Sequence, residues 1–202
     1  MNLQNNALFG HDLVLPKPEN TTRFTSQNIN GFRRPHEFQD VLEIAQALKD
    51  ASVDIWNVQE TNINWRSACL SQCYDRIRRV YKHARLSTSS SKITYRTDYQ
   101  PGGTMSTVTD DYVGRIVETG SDSEMGRFSF HRLLGKQGRQ IVIVSAYQVC
   151  NQQASRVGDR TAFAQQLSLS RRNGQDCSPR KSCFAGLEAV TYTHLTDPDT
   201  TA

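Results

Sequence analysis

The sequence predicts an α/β fold, and three features of its 202 residues carry that expectation. A strand–helix–strand pattern occupies residues 23–58, a second amphipathic helix follows, and short strands fill residues 92–147. Apolar residues make up 37% of the chain, enough for one domain core with little to spare. There is no run of about 18 apolar residues, which excludes a membrane-spanning helix. Met1–Gly10 lacks the charged and apolar regions of a signal peptide. The expected setting is therefore intracellular, nucleus or cytoplasm, and not secreted. Cys69, Cys73, Cys150, Cys177 and Cys183 fit free, reduced thiols, because the close pair Cys69/Cys73 has no partner pair at zinc spacing.

Residues 1–21 are polar with Pro16 and Pro18, and read as a disordered leader. Arg23–Ile29 is a short extended run ending in Asn28-Ile29-Asn30-Gly31, where glycine permits a turn. Pro35 and His36 are expected to open a helix whose stripe is Phe38, Val41, Leu42, Ala45 and Leu48. Val53–Val58 follows as a buried strand ending at Gln59-Glu60-Thr61, and the βαβ unit so formed requires parallel strands. Trp65–Ala84 reads as a helix with arginines at 76, 78 and 79 on one side, and Ser87–Ser91 as a link. Strands are expected near Lys92–Tyr95, Gly103–Thr109 and Arg115–Glu118, then a hairpin of Arg127–Leu134 and Gln140–Tyr147 across Gly135–Arg139. Thr161–Leu169 is helical in pattern, and Leu187–Ala202 is Thr-rich and patternless.

The net charge of +4 conceals two basic blocks, +7 over residues 66–96 and +8 over residues 127–181, separated by acidic stretches. Such blocks attract polyphosphates by counterion release, without separating DNA from RNA or a phospholipid headgroup. Asn28 and Glu60 end neighbouring parallel strands 32 residues apart, at the sheet edge where open α/β sheets place their sites. An amide oxygen beside a carboxylate suits a hard cation such as Mg²⁺. The plainer alternatives are a solvent-exposed strand-end carboxylate for Glu60 and a turn residue bonding its own backbone for Asn28.

Phe24-Thr25-Ser26-Gln27-Asn28-Ile29-Asn30-Gly31 and Asp54-Ile55-Trp56-Asn57-Val58-Gln59-Glu60-Thr61 resemble the first two strand motifs of the endonuclease/exonuclease/phosphatase superfamily. Pro101-Gly102-Gly103-Thr104 looks like its glycine-led strand, and Ile141–Tyr147 like the strand presenting its tyrosine. The resemblance covers about residues 22–170, with a DNase I-like, exonuclease III-like and retrotransposon-type flavour. It implies a four-layer α/β/β/α sandwich with a truncated second sheet. It also implies Glu60 and Asn28 as Mg²⁺ (or Mn²⁺) ligands and Tyr147 as the group on the scissile phosphate. Asn30, Arg76, Arg78 and Arg79 are the expected substrate contacts, with DNA the expected partner. Nothing points to a membrane, a haem or a nucleotide cofactor, and the oligomeric state is left open.

Two family motifs are missing, Gly-Asp-Phe-Asn and Ser-Asp-His, which would orient the nucleophile and supply the base. Gly158-Asp159-Arg160 shares two letters with the first, and His194 lacks the preceding Ser-Asp of the second. The expected organisation is a leader (1–21), a partial domain (22–182) and a non-family tail (183–202) resembling those on fragmentary translated reads. The implied function is the N-terminal part of a metal-dependent endonuclease, inactive as this chain. The alternatives are a phosphatase of the same superfamily acting on a phospholipid or inositol phosphate, and a non-catalytic nucleic-acid-binding remnant. A truncated second sheet would leave part of the first sheet's inner face uncovered.

Overall fold

A computed structural model describes residues 15–32, 38–65, 69–93, 99–151, 160–175 and 178–195. Most of the leader, the Pro35–His36 helix start, Gly158-Asp159 and the last seven residues lie outside the described residues.

The elements run β1 (Phe24–Asn28), α1 (Gln39–Asp50), β2 (Ile55–Gln59), α2 (Cys69–Arg78), β3 (Ala84–Ser89) and β4 (Thr104–Thr109). A 3-10 turn, Asp110–Arg115, leads to β5 (Ile116–Ser121), β6 (Phe128–Leu134), β7 (Gln140–Ala146), α3 (Ala162–Arg172) and α4 (Pro179–Leu195). One sheet has the order β1-β2-β4-β3 and the other β5-β6-β7. β1 and β2 pair in parallel, as the βαβ spacing requires, and every other pairing is antiparallel. The two sheets stack with β7 over β2 and β4, β6 over β4 and β3, and β5 over β3. Helices α1 and α2 cover the outside of the first sheet, and α4 lies against the outside of the second near Phe128. The expected mixed α/β sandwich of two sheets between helices is therefore what the chain forms.

The two faces of the first sheet differ in chemistry. Trp56, Val58 and Met105 point outward into a core with Phe38, Val41, Ala45, Cys69, Cys73, Ile77 and Tyr81, all buried. The apolar stripe of α1 and the Cys73/Ile77 side of α2 are what turn these helices inward. Inward, the strand register lines up three rows across the sheet: Phe24-Ile55-Val108-Arg85, then Ser26-Asn57-Ser106-Ser87, then Asn28-Gln59-Thr104-Ser89. Ile55 and Val108 of the first row join Leu133 in a small apolar cluster, while the other two rows are polar and face Ser129, His131 and Ser145. β1 extends beyond β7, so on its inner side Phe24 is 47% exposed and Ser26 and Asn28 are exposed.

Several sequence expectations need correction. Ser87–Ser89, read as part of a link, belongs to β3 and pairs in full register with β4. A serine-rich strand survives burial there because its hydroxyls find partners: Ser87 donates to Gly120 O at 2.6 Å and Ser89 shares a hydrogen bond with Thr104 at 2.8 Å. Lys92 and Ile93 are not in a strand, and residues 94–98 lie outside the described set. Helix α2 is shorter than Trp65–Ala84, because Tyr81 turns into the core and Ala84 opens β3. Residues 187–195, patternless in sequence, continue α4.

Candidate active site

Asn28 and Gln59 are register partners at the carboxyl ends of β1 and β2, and Glu60 follows at once. Glu60 adopts a left-handed backbone (φ 58°), uncommon for a residue other than glycine, asparagine or aspartate. Its conformation is held from both sides. Its N–H donates to Gly103 O at 2.9 Å, and its carbonyl accepts from Gly31 N–H at 2.7 Å. Asn62 N–H donates to Gly102 O, and Asn62 Oδ1 accepts from Gly102 N–H, both at 2.8 Å. Gly103 must be glycine here. Its φ is +82°, and a Cβ would sit 2.7 Å from Ser89 O and 2.9 Å from Thr61 Oγ1. Gly102 has the same need, since its Cβ would press on Ala162 and on the ring of Tyr147 at 3.2 Å.

Tyr147 closes the site from the second sheet. Its hydroxyl donates to Glu60 Oε1 at 3.1 Å. Burial, together with the Glu60 charge and this bond, pushes the phenol well above its ordinary range, so it stays a proton donor across neutral pH. Beneath the pair, Gln59 Nε2 donates to Ser26 Oγ at 3.0 Å and Ser145 Oγ at 3.1 Å, and Ser145 Oγ donates to Val58 O at 3.0 Å. These bonds tie β7 to β2 and so fix Tyr147 over Glu60. Trp65 Nε1 donates to buried Thr61 Oγ1 at 3.1 Å, anchoring the segment after Glu60.

The sequence-predicted residues divide into two groups. Glu60 and Tyr147 are in contact, and Asn28 stands at the end of the neighbouring strand. Asn28 Oδ1 accepts from Asn30 N–H at 3.0 Å, the local turn bond expected of an asparagine in that position. Asn30 itself is exposed with φ 51°. Arg76, Arg78 and Arg79 are not at this edge. Tyr74, just before them on α2, donates to Ala84 O at the start of β3. That end of the sheet carries the His83–Asp110 and Asp54–Thr109 backbone bonds, opposite Glu60. His131 is fully buried between the sheets, donating from Nε2 to Ser106 O at 3.1 Å and bonded through Nδ1 to Thr119 Oγ1 at 3.0 Å. Its pKa is pushed down to about 4 by burial, with Arg85 adding to the effect, so it offers no base to solvent. Gln59, Asn62, Thr61 and Ser145 were not singled out from sequence. Gln59 and Thr61 flank Glu60 inside its motif, which is the signal that could have found them.

One carboxylate and one amide oxygen fit a Mg²⁺ ion that keeps most of its water and takes the remainder from substrate phosphate. Among the described residues no three His, Cys, Asp or Glu side chains gather into a closed metal cage.

Fold and site together define a two-sheet α/β sandwich with a tyrosine–glutamate pair where the parallel strands end. No protein-family model matches the chain, and no curated protein matches it in sequence. A solved structure described as an endonuclease/exonuclease/phosphatase family protein from Leptotrichia buccalis C-1013-b is similar, with a TM-score of 0.42 and 13% identity. The match covers 63% of this chain and 53% of that one, so this chain spans about half of that protein's length. Among the described residues no helix is long and apolar enough to cross a membrane.

Proposed function

We propose that this chain carries the metal-binding half of a phosphodiesterase site of the endonuclease/exonuclease/phosphatase type, with nucleic acid, DNA foremost, as substrate and a retroelement as its source. The observation that supports this reading best is the hydrogen bond from Tyr147 to Glu60. It joins two motifs 87 residues apart that the sequence resemblance assigns to one site. Glu60 and Asn28 would hold the Mg²⁺ (or Mn²⁺), which supplies charge neutralisation at a bound phosphate. Tyr147, kept protonated, orients the Glu60 carboxylate and can donate to a non-bridging phosphate oxygen in its place. His131, the one histidine described between the two sheets, is sealed from solvent and offers no base at this edge. The chain is accordingly expected to bind metal without turning over.

Calorimetric titration with Mn²⁺, run beside a Mg²⁺-dependent plasmid-nicking assay, tests this. Binding should be lost in Glu60→Ala and kept in Tyr147→Phe, with no nicking by either variant or the parent. Metal binding indifferent to Glu60→Ala would overturn the site. Nicking that Glu60→Ala abolishes would leave the site and overturn the inactivity. Salt-sensitive DNA binding untouched by metal or by Glu60→Ala would favour a non-catalytic binding surface, for which the arginines of α2 at the far end are suitably placed.

A further inference from the structure

We propose, resting on the reading of Glu60 as a metal ligand, that Asn62 is the positioning residue of this edge: it clasps the loop at Gly102 and so holds the Glu60 carboxylate against Tyr147. Asn62 lies two residues past Glu60 and shares its left-handed backbone, with φ 56° against 58°. Three of its polar groups bond one short stretch of the loop before β4. Its N–H donates to Gly102 O and its Oδ1 accepts from Gly102 N–H, both at 2.8 Å. Its carbonyl accepts from Gln100 N–H at 3.1 Å. The side-chain amide also packs on the bare Cα of Gly31, where a Cβ would come within 2.8 Å of Nδ2.

These contacts join the three residues of the site. Gly31 lies in the turn that follows Asn28, and its N–H bonds the Glu60 carbonyl at 2.7 Å. Beside Gly102, Gly103 O accepts from Glu60 N–H at 2.9 Å and from Thr61 N–H at 3.3 Å. Gly102 itself faces the ring of Tyr147, whose hydroxyl returns to Glu60 Oε1. The path from Glu60 through Asn62, Gly102 and Tyr147 therefore closes on the carboxylate. The residue type at position 62 follows from its two tasks. Glycine, asparagine and aspartate are the residues that take a left-handed backbone readily. Glycine has no Oδ1 to hold Gly102, and aspartate would set a second carboxylate two residues from Glu60. Without the clasp the left-handed turn at Glu60 loses its fixed neighbour, and a ligand less firmly oriented binds its ion more weakly, by about 10–100-fold for a lost supporting partner.

Amide hydrogen exchange followed by NMR without metal, with calorimetric Mn²⁺ titration of the same whole-chain variants, separates positioning from general stability. Asn62→Gly keeps the left-handed backbone and loses the clasp, whereas Asn62→Asp keeps the acceptor. In Asn62→Gly the amides of Glu60 and Gly31 should exchange about tenfold faster or more, while those of β2 keep the parent's rates. Its Mn²⁺ affinity should fall about tenfold. Asn62→Asp should keep the parent's exchange at both amides and bind Mn²⁺ at least as tightly. Parental exchange at Glu60 and Gly31 in Asn62→Gly would overturn the proposal, as would an equal acceleration at every amide, which marks lost stability alone. So would fast exchange in Asn62→Asp, or Mn²⁺ affinity that Asn62→Gly leaves unchanged in a chain whose binding Glu60→Ala abolishes. A parent chain that binds no Mn²⁺ would overturn the metal reading of Glu60 and leave the exchange comparison to decide the role of Asn62.

Discussion

The two faces of the four-stranded sheet are built on opposite principles. The helix-facing side packs Trp56, Val58 and Met105 into the apolar core under α1 and α2, with Thr107 buried beside Trp56. On the sheet-facing side Ile55 and Val108 form a small apolar cluster with Leu133 of β6, and most of the rest is serine, threonine, asparagine and glutamine facing His131 and serines of the second sheet. Apolar burial stabilises at roughly 25 cal/mol per Å², whereas buried polar groups contribute only to the extent that they are paired. The helix side therefore supplies the stability of the sheet. The inter-sheet side uses hydrogen bonds such as Ser145–Val58 and Thr104–Ser129 to set strand positions, and with them the placement of Tyr147 over Glu60.

The sharpest test of that contrast is Trp56→Ala, which empties the centre of the helix-side core. It should lower unfolding free energy by about 3–5 kcal/mol, read by urea denaturation. A cost below about 1 kcal/mol would mean that the helices are not the main support.

Next in size is the pH response of His131. The neutral ring is fully satisfied, with Nε2–H on Ser106 O and Nδ1 accepting from Thr119, so a second ring proton disturbs a bond already made. Above pH 6.5 the ring is neutral in both folded and unfolded chains. As pH falls from 6.5 toward about 4 the unfolded chain takes up the proton and the folded one resists. Stability is therefore lost on acidification through that window, by up to about 3 kcal/mol. Denaturation at pH 7 and pH 5, before most carboxylates titrate, should show the loss in the parent and not in His131→Asn.

The smallest effect has the opposite sign. Asn57 is 2% exposed, and among the described residues neither polar atom of its side chain has a hydrogen-bond partner; nor does Ser106 Oγ in the same row. Asn57→Leu, which keeps the branched shape with methyl groups in place of the amide, should raise stability by about 1 kcal/mol. A loss instead would show that the polar rows are hydrated inside the sandwich and depend on that water.

What the sequence could reveal follows the same division. The helix-side core was legible because it is periodic. The stripe of α1, the apolar β2 and the 32-residue strand-end spacing led to the parallel β1–β2 pair and to Asn28 and Glu60 at its edge. β3 was missed because its second half, Ser87–Ser89, is serine and threonine, whose burial depends on partners in β4 and β5 that no local pattern displays. The arginines of α2 were tied to the site by charge alone, and charge carries no information about which end of a helix meets which end of a sheet. Tyr147 was reached through its motif, but its bond to Glu60 depends on Gln59 and Ser145, whose pairing spans 86 residues.

The left-handed turn at Glu60 also bears on the order of folding. Its carbonyl waits for Gly31, its N–H for Gly103, and its side chain for Tyr147. Three segments, distant along the chain, must arrive before that one residue has a reason to hold its shape. Closing such loops is the slow, entropically costly part of assembling a sheet. The carboxylate is thus set among the last acts of folding, and a chain that has merely collapsed onto its helices would possess the core without yet possessing the site.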